Sequence, residues 1–170
     1  MQPAPDATPL GLGASIIAEC TRRGLTIAVA ESLTGGLLVA ELIATPGASA
    51  VVRGGIVAYE TALKHTLLGV DAVLLAEHGP VDPDVARQMA IGVRERLAVG
   101  GDAASIGIST TGVAGPDPQD GQPVGTVYIG IASEAGVDSI RLSLSGTRAD
   151  IRNAVVSESL LQLTKLLRSF

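Results

Sequence analysis

Two hydrophobic periodicities alternate along the chain, one of about 3.6 residues and one of about two. The helical spacing predicts helices over residues 10–23, 35–44, 61–68, 83–99 and 148–168. Short apolar or alternating runs predict strands over residues 26–30, 55–59, 103–110, 126–132 and 139–145. Because strands alternate with helices, the pattern is typical of an α/β fold. We expect a three-layer α/β/α sandwich around a mixed sheet of about five strands.

Local signals add detail to these elements. Asp82 is a good N-cap, and Pro83 suits the first position of the helix that follows it. Thr147 and Asp150 stand at the spacing of a capping box where the last predicted helix begins. A turn at residues 134–136 separates the last two predicted strands, which indicates an antiparallel hairpin. The first two predicted strands are nearly continuously apolar, as in strands buried on both faces.

Length and composition indicate that the predicted helices and strands form one domain. Of the 170 residues, 46% are hydrophobic and 17% are charged, which is enough apolar material for one core. We expect a flexible lead-in over residues 1–9 and a single domain over residues 10–170. No apolar run reaches the roughly 18 residues that a membrane-spanning helix needs, so a soluble, cytoplasmic protein is expected. Cys20 is the only cysteine, and its helical spacing with Ile16 and Ile17 predicts a small core residue.

The net charge and the aromatic content bear on which partners are expected. The net charge is −5, and no basic stripe is present that could cover a phosphate backbone. Only Tyr59, Tyr128 and Phe170 are aromatic, so a module that stacks bases on aromatic side chains is not expected. We therefore expect neither a nucleic acid nor a membrane as partner.

The junction after the first predicted strand is the first candidate for chemistry. Ser32 and Thr34 follow the strand, and Gly35 and Gly36 then open a helix. Such a junction presents backbone N–H groups beside a hydroxyl at the carboxyl edge of a sheet, where α/β proteins bind ligands. The hydroxyl is either a nucleophile beside an oxyanion hole or merely a helix cap, and the pattern leaves both interpretations open.

A serine nucleophile needs a base, and the chain offers few. Its two histidines, His65 and His78, lie in no recognisable motif, and neither a Gly-x-Ser-x-Gly elbow nor a Ser-x-x-Lys pair is present. Ten of the twelve basic residues are arginines, which stay protonated, and only Lys64 and Lys165 are lysines. Lys165 fits a solvated helix face. Lys64 follows a strand, and a buried lysine can act as a base, although one retained lysine can also be chance.

A glycine-rich loop after the third predicted strand is another candidate. Thr111, Gly112, Ala114 and Gly115 could wrap amides around an anionic or ribosyl group, and Arg148 at a helix start could hold a phosphate. The loop lacks the Gly-Lys-Ser/Thr ending of a P-loop and is not a dinucleotide fingerprint. A plain connection remains the alternative.

These segments together resemble the CinA C-terminal-domain family, whose enzymatic members are nicotinamide-nucleotide amidohydrolases. The resemblance covers residues 10–168 and is carried by ordered motifs. They are Ala30-Glu31-Ser32-Leu33-Thr34-Gly35-Gly36, Pro46-Gly47-Ala48-Ser49, Gly54-Gly55-Ile56-Val57-Ala58-Tyr59 with Lys64, Leu67-Leu68-Gly69-Val70, His78-Gly79-Pro80-Val81, Met89-Ala90-Ile91-Gly92, Thr111-Gly112-Val113-Ala114-Gly115-Pro116 and Pro123-Val124-Gly125-Thr126-Val127. Each motif is modest, but their joint order and spacing are specific.

The resemblance implies a serine-type amidase that converts nicotinamide mononucleotide to nicotinate mononucleotide and ammonia in pyridine-nucleotide salvage. It implies Ser32 as nucleophile, Lys64 as base and Tyr59 as an orienting hydroxyl, with amides near Gly35 and Gly36 holding the oxyanion. The implied substrate-binding residues are Glu31, Thr34, Gly35, Gly36, Thr111, Gly112, Ala114, Gly115 and Arg148. No metal or organic cofactor is expected, and a homo-oligomer, a dimer or trimer, is expected by resemblance only.

The chain departs from the family pattern at three positions. Gln122 stands where a lysine is frequent, Thr147 where an acidic residue or asparagine is frequent, and Asp82 where a serine is frequent. The first two bear on phosphate affinity more than on the chemistry. The chain looks like the stand-alone form of the family. Two other hypotheses stay open, a non-catalytic nucleotide-binding or competence- and damage-linked regulatory module and an amidase for another small carboxamide.

Overall fold

The computed structural model describes residues 9–169 as one mixed sheet between two helical layers. The helices are α1 (Pro9–Arg23), α2 (Leu37–Ile43), α3 (Thr61–Leu68), α4 (Ala72–His78), α5 (Pro83–Arg96) and α6 (Arg148–Ser169). The strands are β1 (Ile27–Glu31), β2 (Val52–Val57), β3 (Ile106–Gly112), β4 (Thr126–Ser133) and β5 (Gly136–Ser143), and a 3₁₀ turn spans Ala48–Ala50. The predicted α/β/α sandwich with five strands is confirmed. Residues 1–8 of the expected lead-in lie outside the described residues, and Pro9 already belongs to α1.

The strand order is β2-β1-β3-β4-β5. Strands β2, β1 and β3 are parallel, whereas β4 pairs antiparallel with β3 and with β5. The predicted hairpin of the last two strands is therefore confirmed. The carboxyl ends of the three parallel strands meet at one edge of the sheet, which is where open α/β sheets bind ligands.

The core fills both faces of the sheet. Alternate residues of β1 face opposite ways: Ile27 and Val29 pack in the cluster with α1, α2 and α6, whereas Ala28 and Ala30 pack with α3 and α5. All five β1 residues are fully buried, as the apolar run predicts. The predicted core position of Cys20 is also confirmed, and burial raises the pKa of its thiol to about 11.

Helix α5 lies unusually close to the sheet because small residues face it. A Cβ at Gly107 would stand 2.0 Å from the carbonyl oxygen of Ala90, and one at Gly130 would stand 2.1 Å from that of Ala86. The Asp82 carboxylate accepts hydrogen bonds from two amides at the start of α5, so the predicted N-cap is confirmed.

In the middle of the chain, the prediction for one strand is wrong and one helix was missed. The second strand runs over Val52–Val57 rather than 55–59, because Val57 pairs with Glu31, the last residue of β1. As an edge strand, β2 is also half-exposed and not buried on both faces. Helix α4 was not predicted, since none of its residues is buried and it shows no strong apolar stripe. No helix within residues 9–169 is long and apolar enough to cross a membrane.

Candidate active site

A cavity of about 330 Å³ opens at the carboxyl edge of the parallel strands. Four chain segments line it: the turn after β1, the segment from the end of β2 into α3, Pro80 and Val81 before α5, and the loop after β3. Arg148 contributes from the start of α6. The volume falls within the usual range for a small-molecule site, roughly 300–1,000 Å³.

Ser32 and Lys64 meet inside this cavity. The Lys64 Nζ atom donates a hydrogen bond to Ser32 Oγ at 3.0 Å and a second one to the Ala58 carbonyl oxygen at 2.8 Å. Ser32 is 8% exposed and Lys64 only 1%. No carboxylate is within salt-bridge distance of Lys64 among residues 9–169. A lysine amine is thus held against a serine hydroxyl with little solvent around it.

Burial changes the acid–base chemistry of Lys64. Desolvation lowers its pKa from 10.5 to about 8, and the charge of Glu60 opposes part of this shift. At pH 7 about one chain in ten then carries a neutral amine, whereas an ordinary lysine is almost wholly protonated. A neutral amine within hydrogen-bond distance of a hydroxyl can accept its proton, which is the arrangement of an activated serine nucleophile.

The fold brings this pair together from two parallel strands. Ser32 directly follows β1, and Lys64 lies on the buried side of α3 with Leu68, one turn further along. Ala58, which comes after β2, donates its amide to the Glu31 carbonyl and presents its own carbonyl to Lys64. The end of β2 is thereby joined both to β1 and to the lysine.

The turn after Ser32 differs from the expected oxyanion site. The Gly35 amide donates to the Ser32 carbonyl at 3.1 Å, and the Gly36 amide donates to Glu31 Oε2 at 2.9 Å. Both amides are therefore already engaged, and they do not hold an oxyanion in this arrangement. Gly35 and Gly36 have φ angles of 59° and 99°, a region that favours glycine, so their role is to shape the turn.

Glu31 and Thr34 hold the turn through hydrogen bonds and do not line the cavity. The buried Glu31 carboxylate accepts hydrogen bonds from the amides of Gly36, Leu38 and Val39 and so closes the start of α2. The Thr34 hydroxyl pairs with that of Thr110 at 2.7 Å, and both are fully buried. Of the residues expected to bind substrate, Glu31, Thr34, Gly35 and Gly36 do not line the cavity.

Two backbone donors in the same turn are unused. Among residues 9–169 the amides of Leu33 and Thr34 donate no hydrogen bond, although both residues are buried. Buried amides without a partner are rare in folded proteins and call for an explanation. Leu33 lines the cavity beside Ser32, and Thr34 follows it in the same turn, next to the residue on which an oxyanion would form.

The remaining expected substrate-binding residues do line the cavity. Thr111, Gly112, Ala114 and Gly115 form one wall, and the Thr111 hydroxyl donates to the Pro80 carbonyl at 2.6 Å. Arg148 also lines the cavity, next to Gly115. Its guanidinium donates to the Gly115 carbonyl at 2.7 Å, so the end of the loop and the start of α6 are held together.

Tyr59 lies at the mouth of the cavity and is 61% exposed. Its hydroxyl accepts a hydrogen bond from Arg148 at 3.0 Å, and within residues 9–169 it has no hydrogen bond to Ser32 or Lys64. The structure therefore places Tyr59 with Arg148 rather than with the Ser32–Lys64 pair.

Two acidic residues of the cavity were missed from the sequence. Glu60 precedes α3 by one residue, and Asp117 lies in the loop after β3. The spacing of Glu60 to Lys64, four residues across a helix start, is a signal that could have identified the first. Asp117 belongs to the glycine-rich loop already singled out, but nothing in the pattern distinguished it from a solvated loop residue.

Other residues weighed from the sequence lie outside this cavity. His65 Nδ1 lies 2.8 Å from the Val70 carbonyl oxygen, and His78 pairs with Asp82 at 3.4 Å. Gln122 closes a tight turn with Gln119 through two backbone hydrogen bonds. Thr147 forms the expected capping arrangement with Asp150 at the start of α6. Within residues 9–169 no group of three acidic, histidine or cysteine side chains could hold a metal ion.

Comparisons with known proteins agree on one family. A sequence model described as the CinA C-terminal domain matches residues 11–167. A CinA-like protein of Frankia casuarinae is 52% identical over 137 residues, which are 80% of this chain and 30% of the relative. A CinA-like protein of Gemmatimonas aurantiaca is 45% identical over 162 residues, 94% of this chain and 36% of the relative. The chain thus spans about a third of the length of these relatives.

Solved structures show the same fold over nearly their whole length. The competence/damage-inducible protein CihA of Agrobacterium tumefaciens superposes with a TM-score of 0.87 at 34% identity, covering 98% of this chain and 99% of that one. A competence-damaged protein (CinA) superfamily protein of Escherichia coli superposes with a TM-score of 0.88 at 28% identity, covering 98% and 94%.

Proposed function

Because the chain belongs to the CinA C-terminal domain family, we propose that it is a serine-type amidohydrolase acting on nicotinamide mononucleotide. Its products would be nicotinate mononucleotide and ammonia. The observation that carries the proposal is the 3.0 Å contact between Lys64 Nζ and Ser32 Oγ inside the cavity. A buried lysine with a pKa of about 8 against a serine hydroxyl has a direct use in acyl transfer and is costly to a protein that does not use it.

The mechanism follows from the protonation of Lys64. Neutral Lys64 takes the proton of the Ser32 hydroxyl while Oγ attacks the carboxamide carbon, which gives a tetrahedral oxyanion. The protonated lysine then gives that proton to the leaving nitrogen, and ammonia departs from an acyl-serine ester. Lys64, neutral again, takes a proton from water, whose oxygen attacks the ester. Collapse of this second tetrahedral intermediate expels Ser32 Oγ, which takes the proton back from Lys64, and the released carboxylic acid gives its remaining proton to solvent.

The oxyanion needs donors that are not already engaged. The free amides of Leu33 and Thr34 fit this need, whereas those of Gly35 and Gly36 do not. An amide that is fixed in place before the reaction stabilises developing charge without reorganisation, and loss of one such donor typically lowers kcat by about 10²–10³-fold.

The charges around the cavity suit a zwitterionic nucleotide. Arg148 offers a guanidinium for a phosphate, and Glu60 and Asp117 offer carboxylates for a cationic pyridinium ring. Thr111 and Gly112 line the same cavity and are available for the ribose. A protein with a net charge of −5 binds an anion through such local positive features.

Ammonia release from nicotinamide mononucleotide tests the proposal. The wild-type chain should release ammonia, Ser32→Ala should release none, and Lys64→Arg should lose nearly all turnover because arginine keeps the charge but does not act as a base. Lys165→Arg is the matched control, since Lys165 is the other lysine and lies exposed on α6. Full activity of Ser32→Ala would overturn the mechanism.

The same assay separates the other hypotheses. Ammonia from a different primary carboxamide, with none from nicotinamide mononucleotide, would assign an amidase of another substrate. Calorimetric binding of the nucleotide without ammonia from any carboxamide would favour a nucleotide-binding or regulatory module, a role in keeping with the competence- and damage-related names of the relatives.

A further inference from the structure

Arg152 of α6 holds the turn that contains the two free amides. Its Nε donates to the Leu33 carbonyl at 2.8 Å, and one of its terminal nitrogens donates to the Thr34 carbonyl at 3.1 Å. These contacts join positions 118 and 119 residues apart in the chain. No carboxylate forms a salt bridge with Arg152 within residues 9–169. Its guanidinium therefore donates hydrogen bonds to two consecutive backbone carbonyls.

Because each peptide unit is planar, a contact that fixes a carbonyl also fixes the direction of the N–H in the same unit. In a trans peptide the C=O and N–H bonds point in opposite directions. The Leu33 carbonyl shares its plane with the Thr34 N–H, so a guanidinium on that carbonyl turns the Thr34 N–H away from Arg152. This amide is one of the two that have no partner within residues 9–169.

The second contact reaches the other amide through one relay. The Thr34 carbonyl, held by Arg152, shares its plane with the Gly35 N–H, which donates to the Ser32 carbonyl. The Ser32 carbonyl in turn shares its plane with the N–H of Leu33. Three successive peptide planes are thus fixed from one guanidinium.

Gly35, in the same turn, lies close to the Arg152 guanidinium. A Cβ on Gly35 would stand 3.4 Å from the Arg152 terminal nitrogen, and its φ of +59° already disfavours other residues. The guanidinium therefore lies directly over the turn. A fork-shaped, always charged donor suits two adjacent carbonyls better than a single ammonium does.

We propose that Arg152 is a positioning residue that orients the backbone amides of Leu33 and Thr34 as the oxyanion hole for Ser32. The inference rests on the proposed function and adds to it a residue that does not line the cavity. Because Arg152 acts on the transition state through the backbone, its loss should lower kcat and leave KM nearly unchanged.

The first measurement is the kinetics of ammonia release from nicotinamide mononucleotide by the full chain. We expect Arg152→Ala to lower kcat about 100-fold, as loss of one oxyanion donor does, with KM changed less than about threefold. The pH midpoint of the rate should stay at its wild-type value, because Lys64 is untouched. Added guanidinium ion should restore part of kcat in Arg152→Ala, and Arg152→Lys should fall between the two. Arg168→Ala, which removes an exposed guanidinium from the same helix, is the control.

A second measurement does not depend on the natural substrate. An alkyl fluorophosphonate would react with Ser32, whose Oγ displaces fluoride and whose proton passes to Lys64, leaving a phosphoryl oxygen where the oxyanion lies. The labelling rate of Ser32, followed by mass spectrometry, should fall in Arg152→Ala about as much as kcat does. Labelled wild type that releases no ammonia would overturn the proposed substrate alone, and the labelling rates would still decide the role of Arg152.

Several outcomes would overturn the role of Arg152. They are wild-type kcat and labelling rate in Arg152→Ala, a loss confined to KM, a shifted pH midpoint, and no response to guanidinium. If Arg152→Ala does not fold, as judged by circular dichroism, the comparison of Arg152→Lys with wild type decides the question in the same way. A wild-type chain that neither releases ammonia nor labels at Ser32 would overturn the proposed function and this role together.

Discussion

Burial of Lys64 has a cost in stability that can be measured apart from any activity. The pKa of its amine is about 8 in the folded protein, against an ordinary value of 10.5. Each pKa unit corresponds to about 1.4 kcal/mol. Holding the protonated amine in the fold at pH values well below 8 therefore costs about 3 kcal/mol. Replacement by methionine, which has a similar length and no charge, removes this cost.

The replacement also removes two hydrogen bonds, those to Ser32 and to the Ala58 carbonyl. Each contributes about 1 kcal/mol. We therefore expect Lys64→Met to be more stable than wild type at pH 7 by about 1 kcal/mol, although the proposed mechanism requires it to be inactive. Gain of stability with loss of activity is the behaviour of a residue kept for chemistry.

The pH dependence is the sharper part of this prediction. Between pH 8 and pH 10.5 the unfolded chain still holds the proton that the folded chain has lost. The unfolded state then binds more protons, so the free energy of unfolding of wild type rises with pH across this window. Lys64→Met lacks this rise. The difference in free energy of unfolding between Lys64→Met and wild type should fall by about 2.5 kcal/mol between pH 7 and pH 10, so that the variant becomes the less stable protein.

Urea unfolding at fixed protein concentration, repeated from pH 7 to pH 10, measures the difference directly. Titration of every other group is common to both proteins and cancels in that difference. Lys165→Met is the matched control, because an exposed lysine should give no pH-dependent difference from wild type. If the difference in free energy of unfolding between wild type and Lys64→Met is the same at pH 7 and pH 10, the lowered pKa of Lys64 is refuted.

Two further substitutions test the surroundings of the Ser32–Lys64 pair. Glu60→Gln removes a negative charge that raises the pKa of Lys64, so the midpoint of kcat/KM against pH should move down, by less than about one pH unit for an exposed carboxylate. Glu95→Gln is its control, and an upward shift would contradict the electrostatic reasoning. Glu31→Gln leaves three amides of α2 without a carboxylate and should lower the free energy of unfolding by about 3 kcal/mol in urea titrations, whereas Glu41→Gln on the same helix should change it little. Equal free energies of unfolding for the two glutamine variants would contradict the conclusion that the Glu31 carboxylate stabilises the start of α2.

Much of the fold follows from local pattern. The order of strands and helices, the cap at Asp82 and the final hairpin depend on residues close together in the chain, and all three are confirmed. The exceptions have a common cause. Helix α4 buries none of its residues, and β2 takes its limits from its partner β1 instead of from its own sequence, so neither carries a local signal of its extent.

The chemical identity of the candidate site was also accessible from sequence, but its geometry was not. Composition singled out Lys64 as one lysine among ten arginines and one other lysine, and the strand-to-glycine junction singled out Ser32. The motif did not reveal that the amides of Gly35 and Gly36 are taken by acceptors in the folded chain. Which amide is free depends on every acceptor nearby in space, and a motif does not record that.

The sequence by itself thus determined the order of most elements, the cap at Asp82 and the residue types able to react. Only the tertiary structure decided that Ser32 Oγ and Lys64 Nζ, 32 residues apart in the chain, lie 3.0 Å from each other. It also decided that Arg152 of α6 contacts the turn between Ser32 and α2. The physical reason is that propensity, periodicity and capping are local. A pKa, a free amide and a hydrogen-bond partner are set by burial and by the order in which the strands pair.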